Sequence, residues 1–97
     1  MEKLGVLVRL EAKPGKEHQA ADFIISALSL ARQETFTVTW FALQLGQSIF
    51  GIFDTFESEE GRIAHLSGPI AQALIANAPD LLATDPLIEM VDLLAVK

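Results

Sequence analysis

Four stretches of the chain alternate between apolar and smaller or polar side chains with the period of two that predicts β-strands. They are 4–12, 37–45, 48–56 and 87–96. In the first stretch Val6 and Val8 fall on one side, whereas Leu7 and Arg9 fall on the other. Large apolar residues occur on both sides of most of these stretches. The predicted strands therefore need cover on both faces.

Between the strands the apolar spacing changes to that of amphipathic helices. From Lys16 to Gln33 apolar side chains recur every three or four positions, which predicts one helix packed on a core. The turn before it, Lys13-Pro14-Gly15, ends the first strand.

A second helix is predicted over 58–66, because Ser58 is a good N-cap residue and the helix dipole favours the acidic Glu59 and Glu60 behind it. Gly68-Pro69 breaks this pattern, and a short helix is expected from there to about Asn77. The segment 79–84 is predicted to form a turn or a single helical twist.

The second and third strands are separated by Gly46-Gln47, which suits a two-residue type II′ hairpin turn. That turn pairs Thr39 with Asp54, and Phe41 with Ile52. It also pairs Trp40 with Phe53 on the opposite side of the sheet. The hairpin therefore predicts that Asp54 and Trp40 point to opposite faces.

The element order β-α-β-β-α-β predicts an α+β, ferredoxin-like fold for the single domain 1–97, with a four-stranded antiparallel sheet and its helices on one face. The apolar side chains of the other face need a partner, most economically a second copy of the chain. We therefore expect a homodimer that packs sheet against sheet. The interface is expected to contain Trp40, Phe53, Leu7 and Arg9.

Composition narrows the classes of partner. The formal net charge is −6 and no run of Lys or Arg occurs, which argues against nucleic acid and anionic membrane surfaces as partners. The chain has no cysteine, so disulfides and thiolate chemistry are excluded. The apolar run near the start is too short for a signal or membrane helix, and a cytoplasmic location is expected. No spacing of metal ligands and no phosphate-binding glycine loop is visible.

Candidate chemistry is concentrated where the third strand passes into the 58–66 helix. His65 titrates near neutral pH, so it could accept a proton from a phenol, and Arg62 shares its side of the helix. Asp54 lies on an otherwise apolar strand face, where a carboxylate needs a partner. Structural roles remain open: a boundary histidine satisfied by backbone or water, Asp54 bonded to Thr39, and a solvated Arg62.

The segment Phe50–Phe56, followed by Glu57–Glu60 and Ala64-His65-Leu66, resembles the antibiotic biosynthesis monooxygenase domain of the dimeric α+β barrel superfamily. The family pattern has an acidic residue, a spacer and an aromatic, then an acidic capping segment and a histidine. Asp54, Phe56 and His65 stand at those positions.

The resemblance implies a pocket between sheet and helices in which a quinol-type aromatic is oxidised by O2 without a metal or an organic cofactor. In that case His65 is the polar anchor or base and Asp54 orients it. Arg62 contacts the substrate, and the pocket walls are Phe41, Phe50 and Phe56. Trp40 is assigned to the core or the interface, with stacking on a ligand as the alternative. A homodimer of the same fold that binds a ligand or is purely structural stays open, and so does a haem-degrading enzyme.

Overall fold

The computed structural model describes residues 1–97, which form four strands and four helices. In chain order these are β1 (Leu4–Glu11), α1 (Glu17–Ser26), α2 (Leu28–Gln33), β2 (Thr39–Gln44), β3 (Ile49–Phe56), α3 (Glu59–Leu66), α4 (Pro69–Leu81) and β4 (Leu87–Asp92). No helix combines the length and the apolar character needed to cross a bilayer.

The strands form one antiparallel sheet in the order β2-β3-β1-β4, and this confirms the predicted α+β, ferredoxin-like architecture. The helices lie on one face of it. The core between sheet and helices is closely filled with apolar side chains. It contains Val6, Val8, Leu10, Ala12, Ala20, Ile24, Phe50, Ile52, Phe56, Leu74 and Leu82.

The β2–β3 hairpin has a different register from the predicted one. Gly46 does not have the positive φ that a type II′ turn requires at its first central position. Instead the N–H groups of Leu45 and Gly46 both donate to the carbonyl of Ile49, so three residues, not two, form the loop. One extra loop residue shifts the pairing by one position, and a one-residue shift moves side chains to the other face.

The corrected register pairs Trp40 with Asp54, and Phe41 with Phe53. The predicted pairs Trp40–Phe53 and Phe41–Ile52 are therefore wrong. Trp40 lies on the helix-covered face. There it packs against the core described above and against a smaller cluster of Ala27, Ala31 and Ile70. Phe41 lies on the opposite face and is 51% exposed. Thr39 bonds to Thr55 and not to Asp54.

The helices differ from prediction at two points. The helix expected over 16–33 is divided at Ala27, where the Ser26 hydroxyl donates to the Phe23 carbonyl at 2.6 Å and the next N–H bonds three residues back. A serine hydroxyl that binds a helix carbonyl competes with the backbone ladder. The last helix, α4, continues to Leu81 and contains Pro79 in its final turn, so the predicted turn over 79–84 begins too early.

The face of the sheet without helices, which we call the open face, carries exposed apolar side chains. Phe41, Leu45 and Leu87 are about half exposed there. The edge strand β4 also extends beyond the helical layer, since Ile88 and Met90 on its other side are exposed as well. Arg9 lies on the open face, 3.7 Å from Glu89 of the neighbouring strand.

Candidate functional site

Three ionisable side chains meet in the interior beneath the helices. The ring of His65, from the last turn of α3, lies between Asp54 of β3 and Glu34, which follows α2. Its Nδ1 is 2.8 Å from Glu34 Oε1, and its Nε2 is 2.8 Å from Asp54 Oδ2. The three side chains are 6% exposed or less. We call this group the acid–histidine–acid cluster.

Local sequence positions the two halves of the cluster. The Ser58 hydroxyl accepts the Gly61 N–H at 3.1 Å and caps α3, as predicted. Gly61 faces the segment that carries Glu34, because a Cβ at this position would lie 3.1 Å from the carbonyl oxygen of Phe36. The missing side chain lets α3 approach that segment, and His65 one turn later reaches Glu34. The ring of Phe56 lies 5.2 Å from that of His65 and closes the cluster from the strand side.

Electrostatics favour the protonated histidine. Burial by itself lowers the pKa of His65, but the hydrogen bonds and negative charges of Asp54 and Glu34 outweigh it and raise the pKa above the usual value. Burial also raises the pKa of Asp54, opposed by His65 and assisted by the charge of Glu34. Nδ1 is within hydrogen-bonding distance of Glu34, and Nε2 lies against a carboxylate oxygen of Asp54, so both sides of the ring favour the imidazolium. The cluster is a buried cation held between two acids.

Two further interactions stabilise the carboxylate of Glu34. The Thr37 hydroxyl donates to its Oε1 at 2.7 Å. Its other oxygen, Oε2, lies next to Gly68, the N-cap of α4, where a Cβ would be 3.6 Å away. The positive end of the helix dipole favours a carboxylate at such a place.

Several buried polar atoms of this region have no hydrogen-bond partner. They are Glu34 Oε2, Trp40 Nε1, and both oxygens of Asp54. The second of these oxygens, Oδ2, is close to His65 Nε2 but is not aligned for a hydrogen bond, so their contact is chiefly electrostatic. Trp40 pairs with Asp54 across the hairpin, which places the free indole N–H on the same face as the cluster. Native proteins leave few such atoms unpaired.

A groove of about 280 Å³ runs between α2 and β2, beside the cluster. Its walls include Glu34 and Trp40, and the remaining lining residues are Leu28, Ala31, Arg32, Thr37, Val38 and Thr39. Neither His65 nor Asp54 lines any of the five main cavities of the molecule. The groove thus reaches one acid of the cluster and the tryptophan, but not the histidine.

The structure brings together some of the predicted site residues and separates others. Asp54 and His65 are in contact, while Phe50 and Phe56 are fully buried in the core. Phe41 was predicted as a wall of the same pocket, but the register places it on the open face. The expected pocket lined by all three phenylalanines is therefore not formed within one chain.

Arg62 was predicted to contact a substrate, but its side chain is bound to other parts of the protein. Its Nη2 is 2.7 Å from Glu59 Oε2, and its Nη1 donates to the carbonyls of Gly5 and Val91 at 3.3 Å each. The side chain thereby ties α3 to the pairing of β1 with β4.

Of the predicted interface residues, Leu7, Arg9 and Phe53 lie on the open face, whereas Trp40 lies beneath the helices. Glu34 was missed by sequence reasoning. It follows a helix in a connecting segment without periodicity, and nothing in the local pattern marks it. No group of three or more acidic or histidine side chains is arranged to hold a metal ion.

Comparison with known proteins finds a close relative, a protein of unknown function. No family model and no curated protein matches it. The crystal structure of NE2512, a protein of unknown function from Nitrosomonas europaea, is 59% identical, with a TM-score of 0.98 over 100% of this chain and 94% of that chain. This chain belongs to the same family as NE2512.

More distant structures share the fold. A putative antibiotic biosynthesis monooxygenase from Nitrosomonas europaea has a TM-score of 0.83 and 13% identity, covering 95% of this chain and 90% of that chain. Rv0793 from Mycobacterium tuberculosis has a TM-score of 0.84 and 14% identity, covering 97% of both chains. At such identities the likeness establishes the architecture alone. The architecture is therefore shared with these two proteins.

Proposed function

We propose that this protein is a small-molecule oxygenase of the antibiotic biosynthesis monooxygenase type, which oxidises a quinol-like or anthrone-like aromatic with O2 and without a cofactor. The observation that carries the proposal is the acid–histidine–acid cluster with its unpaired atoms. Buried ionisable groups with shifted pKa values are concentrated at functional sites. The fold shared with a putative monooxygenase supports the same reaction class.

The reaction balances without an external reductant. For an anthrone, a ring CH2 and O2 become a ring carbonyl and water, with one oxygen atom in each product. For a hydroquinone, the two hydroxyl groups and O2 become a quinone and H2O2. The first step is loss of a proton from the acidic aromatic, since its anion is the species that passes an electron to O2. The protein must therefore supply a proton acceptor and stabilise negative charge.

In this site His65 is the polar anchor and not the base. Both ring nitrogens already face carboxylates, and these carboxylates raise the pKa of His65 and favour the protonated ring. Asp54 orients the ring, and the imidazolium in turn offsets the charge of the two acids. The unpaired carboxylate oxygens are the acceptors that remain for a substrate hydroxyl.

The proposed active form is a homodimer. The open face carries Leu7, Phe41, Phe53 and Leu87, and exposed apolar area of this kind favours association with a second copy. In this arrangement Phe41 takes the interface position predicted for Trp40. Arg9 lies beside Glu89 at the margin of this surface.

A non-catalytic dimer is the second candidate, and one observation favours it. The core side chains fill the space between sheet and helices, and none of the five main cavities is lined by His65 or Asp54. In this alternative the buried cluster specifies the packing of α3 on β3 and turns over no substrate.

Oxygen uptake with a panel of anthrones and hydroquinones separates the two candidates. Turnover above the protein-free rate is expected for at least one compound, and Asp54→Asn should reduce it at least tenfold. Glu60→Gln, an exposed acid of the same charge change, serves as the control and should retain the wild-type rate. If no compound consumes oxygen faster with the protein than without it, the oxygenase proposal is wrong.

A further inference from the structure

Glu34 and Trp40, which each carry an unpaired buried atom, both line one groove. Trp40 Nε1 is a hydrogen-bond donor without an acceptor, and Glu34 Oε2 is an acceptor without a donor. Both residues line the groove between α2 and β2. The Glu34 side chain is only 6% exposed. A buried donor and a buried acceptor left unpaired cost stability, and a ligand that pairs with both recovers it.

The rest of the groove has the character of a site for an aromatic compound. Leu28, Ala31 and Val38 provide apolar walls. The indole of Trp40 offers a flat face for stacking. The volume of about 280 Å³ lies just below the range for small-molecule pockets, which begins at about 300 Å³. A compound of one or two rings fits this volume better than a larger polycyclic one.

Arg32 is the cation of this groove. It lies at the exposed rim, and the structure gives it no ion-pair partner. A guanidinium at this place favours a ligand that carries a carboxylate pointing out toward solvent.

We propose that the groove between α2 and β2 binds a hydroxylated aromatic carboxylate of one or two rings. A ring hydroxyl donates to Glu34 Oε2, a second ring oxygen accepts from the Trp40 N–H, and the carboxylate contacts Arg32. This inference rests on the proposed small-molecule site and names its ligand class. It also makes Glu34, rather than His65, the residue that touches the ligand.

Entry of the ligand requires movement at the rim. The two unpaired atoms are buried in the structure. The side chains outside them, Leu28, Arg32 and Val38, are exposed, and exposed side chains change rotamer within nanoseconds. The opening therefore needs no rearrangement of the sheet or helices.

The chain contains a single tryptophan, so its indole N–H gives one resonance that reports on the groove directly. The probe is 1,4-dihydroxy-2-naphthoate, added to ¹⁵N-labelled protein under anaerobic conditions to prevent oxidation. The control ligand is 2-naphthoate, which keeps the rings and carboxylate but lacks both hydroxyls. We expect the dihydroxy compound to shift the indole proton downfield and to bind at least tenfold more tightly by calorimetry.

Two variants measure how much Trp40 and Glu34 each contribute to the affinity for the dihydroxy compound. Trp40→Phe keeps an aromatic ring and removes an N–H that has no partner, so the fold should be retained. The affinity for the dihydroxy compound should fall about 2- to 13-fold. Glu34→Gln should weaken binding by about 10- to 100-fold, because hydrogen bonds to charged groups are stronger. Glu60→Gln is the matched surface control and should bind as the wild type does.

Three results would overturn the inference: an unmoved indole resonance, equal affinity for the two naphthoates, or unchanged affinity in Trp40→Phe. These outcomes are separable from failure of the proposed reaction. Anaerobic binding without later oxygen uptake supports the groove and rejects the oxygenase. Oxygen uptake with another quinol, without binding at Trp40, does the reverse.

Discussion

Replacing His65 with leucine tests the charged state of the buried cluster. The substitution is similar in size but leaves the carboxylates of Asp54 and Glu34 without the cation that each contacts at 2.8 Å. Removing one partner of a buried ion pair costs about 3–5 kcal/mol. The cost of protonating Asp54 gives a second estimate of this destabilisation, which agrees with the range. Asp54 can escape the penalty by taking a proton, and from its ordinary pKa of 3.8 this costs about 4 kcal/mol at pH 7.

The same argument predicts a dependence on pH. At pH 5 the protonation of Asp54 in the variant costs only about 1.6 kcal/mol. The wild type gains at most about 1 kcal/mol between pH 7 and pH 5 from a histidine whose pKa is raised. The destabilisation by His65→Leu should therefore be about 2 kcal/mol smaller at pH 5 than at pH 7. At pH 7 a loss of 3–4 kcal/mol corresponds to a fall in Tm of about 12–30 °C for a domain of this size.

The assay is urea unfolding followed by circular dichroism at pH 5 and pH 7, at one protein concentration because dimerisation adds to apparent stability. His18→Leu is the matched control. His18 is the other histidine, its side chain is 88% exposed, and we expect its loss to change stability by less than about 0.5 kcal/mol.

A loss below about 1 kcal/mol for His65→Leu at pH 7, or an equal loss at both pH values, would refute the buried imidazolium. Should the variant fail to fold at pH 7, Asp54→Asn/His65→Leu provides the comparison. The double variant removes one of the stranded charges, so it should be more stable than His65→Leu alone at pH 7. If it is less stable, the reasoning is wrong.

Three further predictions follow from the geometry. Wild-type stability should fall from pH 6 to pH 9, because His65 has a raised pKa in the folded state: its contribution is complete below about pH 6.5 and is lost as pH rises through the folded pKa. A urea midpoint that increases over this range would contradict this. Phe41→Asp should give a folded monomer by light scattering. The control Ile75→Asp changes a side chain on the outer side of α4 that is 72% exposed, and this variant should stay dimeric. A dimer in both variants means that the open face is not the interface. Gly61→Ala should lose about 1–3 kcal/mol because its Cβ meets the Phe36 carbonyl at 3.1 Å, although alanine ordinarily stabilises a helix. Gly46→Ala, with contacts no closer than 3.9 Å, is the control, and a more stable Gly61→Ala would refute the proposed close approach.

Local rules correctly predicted much of the fold. The turn at Pro14-Gly15 forms with Gly15 at a φ of 84°, and the Lys16 N–H bonds back to the Lys13 carbonyl. Ser58 caps α3 through its side chain. These features depend on a few adjacent residues, so the sequence contains the information that specifies them. The order of the predicted strands and helices likewise indicated an antiparallel sheet with helices on one face.

The hairpin shows where local information ends. Gly46-Gln47 permits either a two-residue or a three-residue loop, and the difference is one residue of register. That residue decides that Trp40 lies under the helices and Phe41 on the open face. The backbone angles of the loop settle this register, since Gly46 does not take the positive φ of the shorter turn.

The cluster illustrates the same division. Asp54 and His65 both belong to one strand–helix junction, and the family resemblance implied that Asp54 orients His65. Glu34 comes from a connecting segment with no periodic pattern, and it joins them only because Gly61 lets α3 approach that segment. Hydrophobic periodicity and capping act over a few residues and are legible in the sequence. Contacts between distant segments depend on how whole elements pack, and here that packing decided the partner of His65.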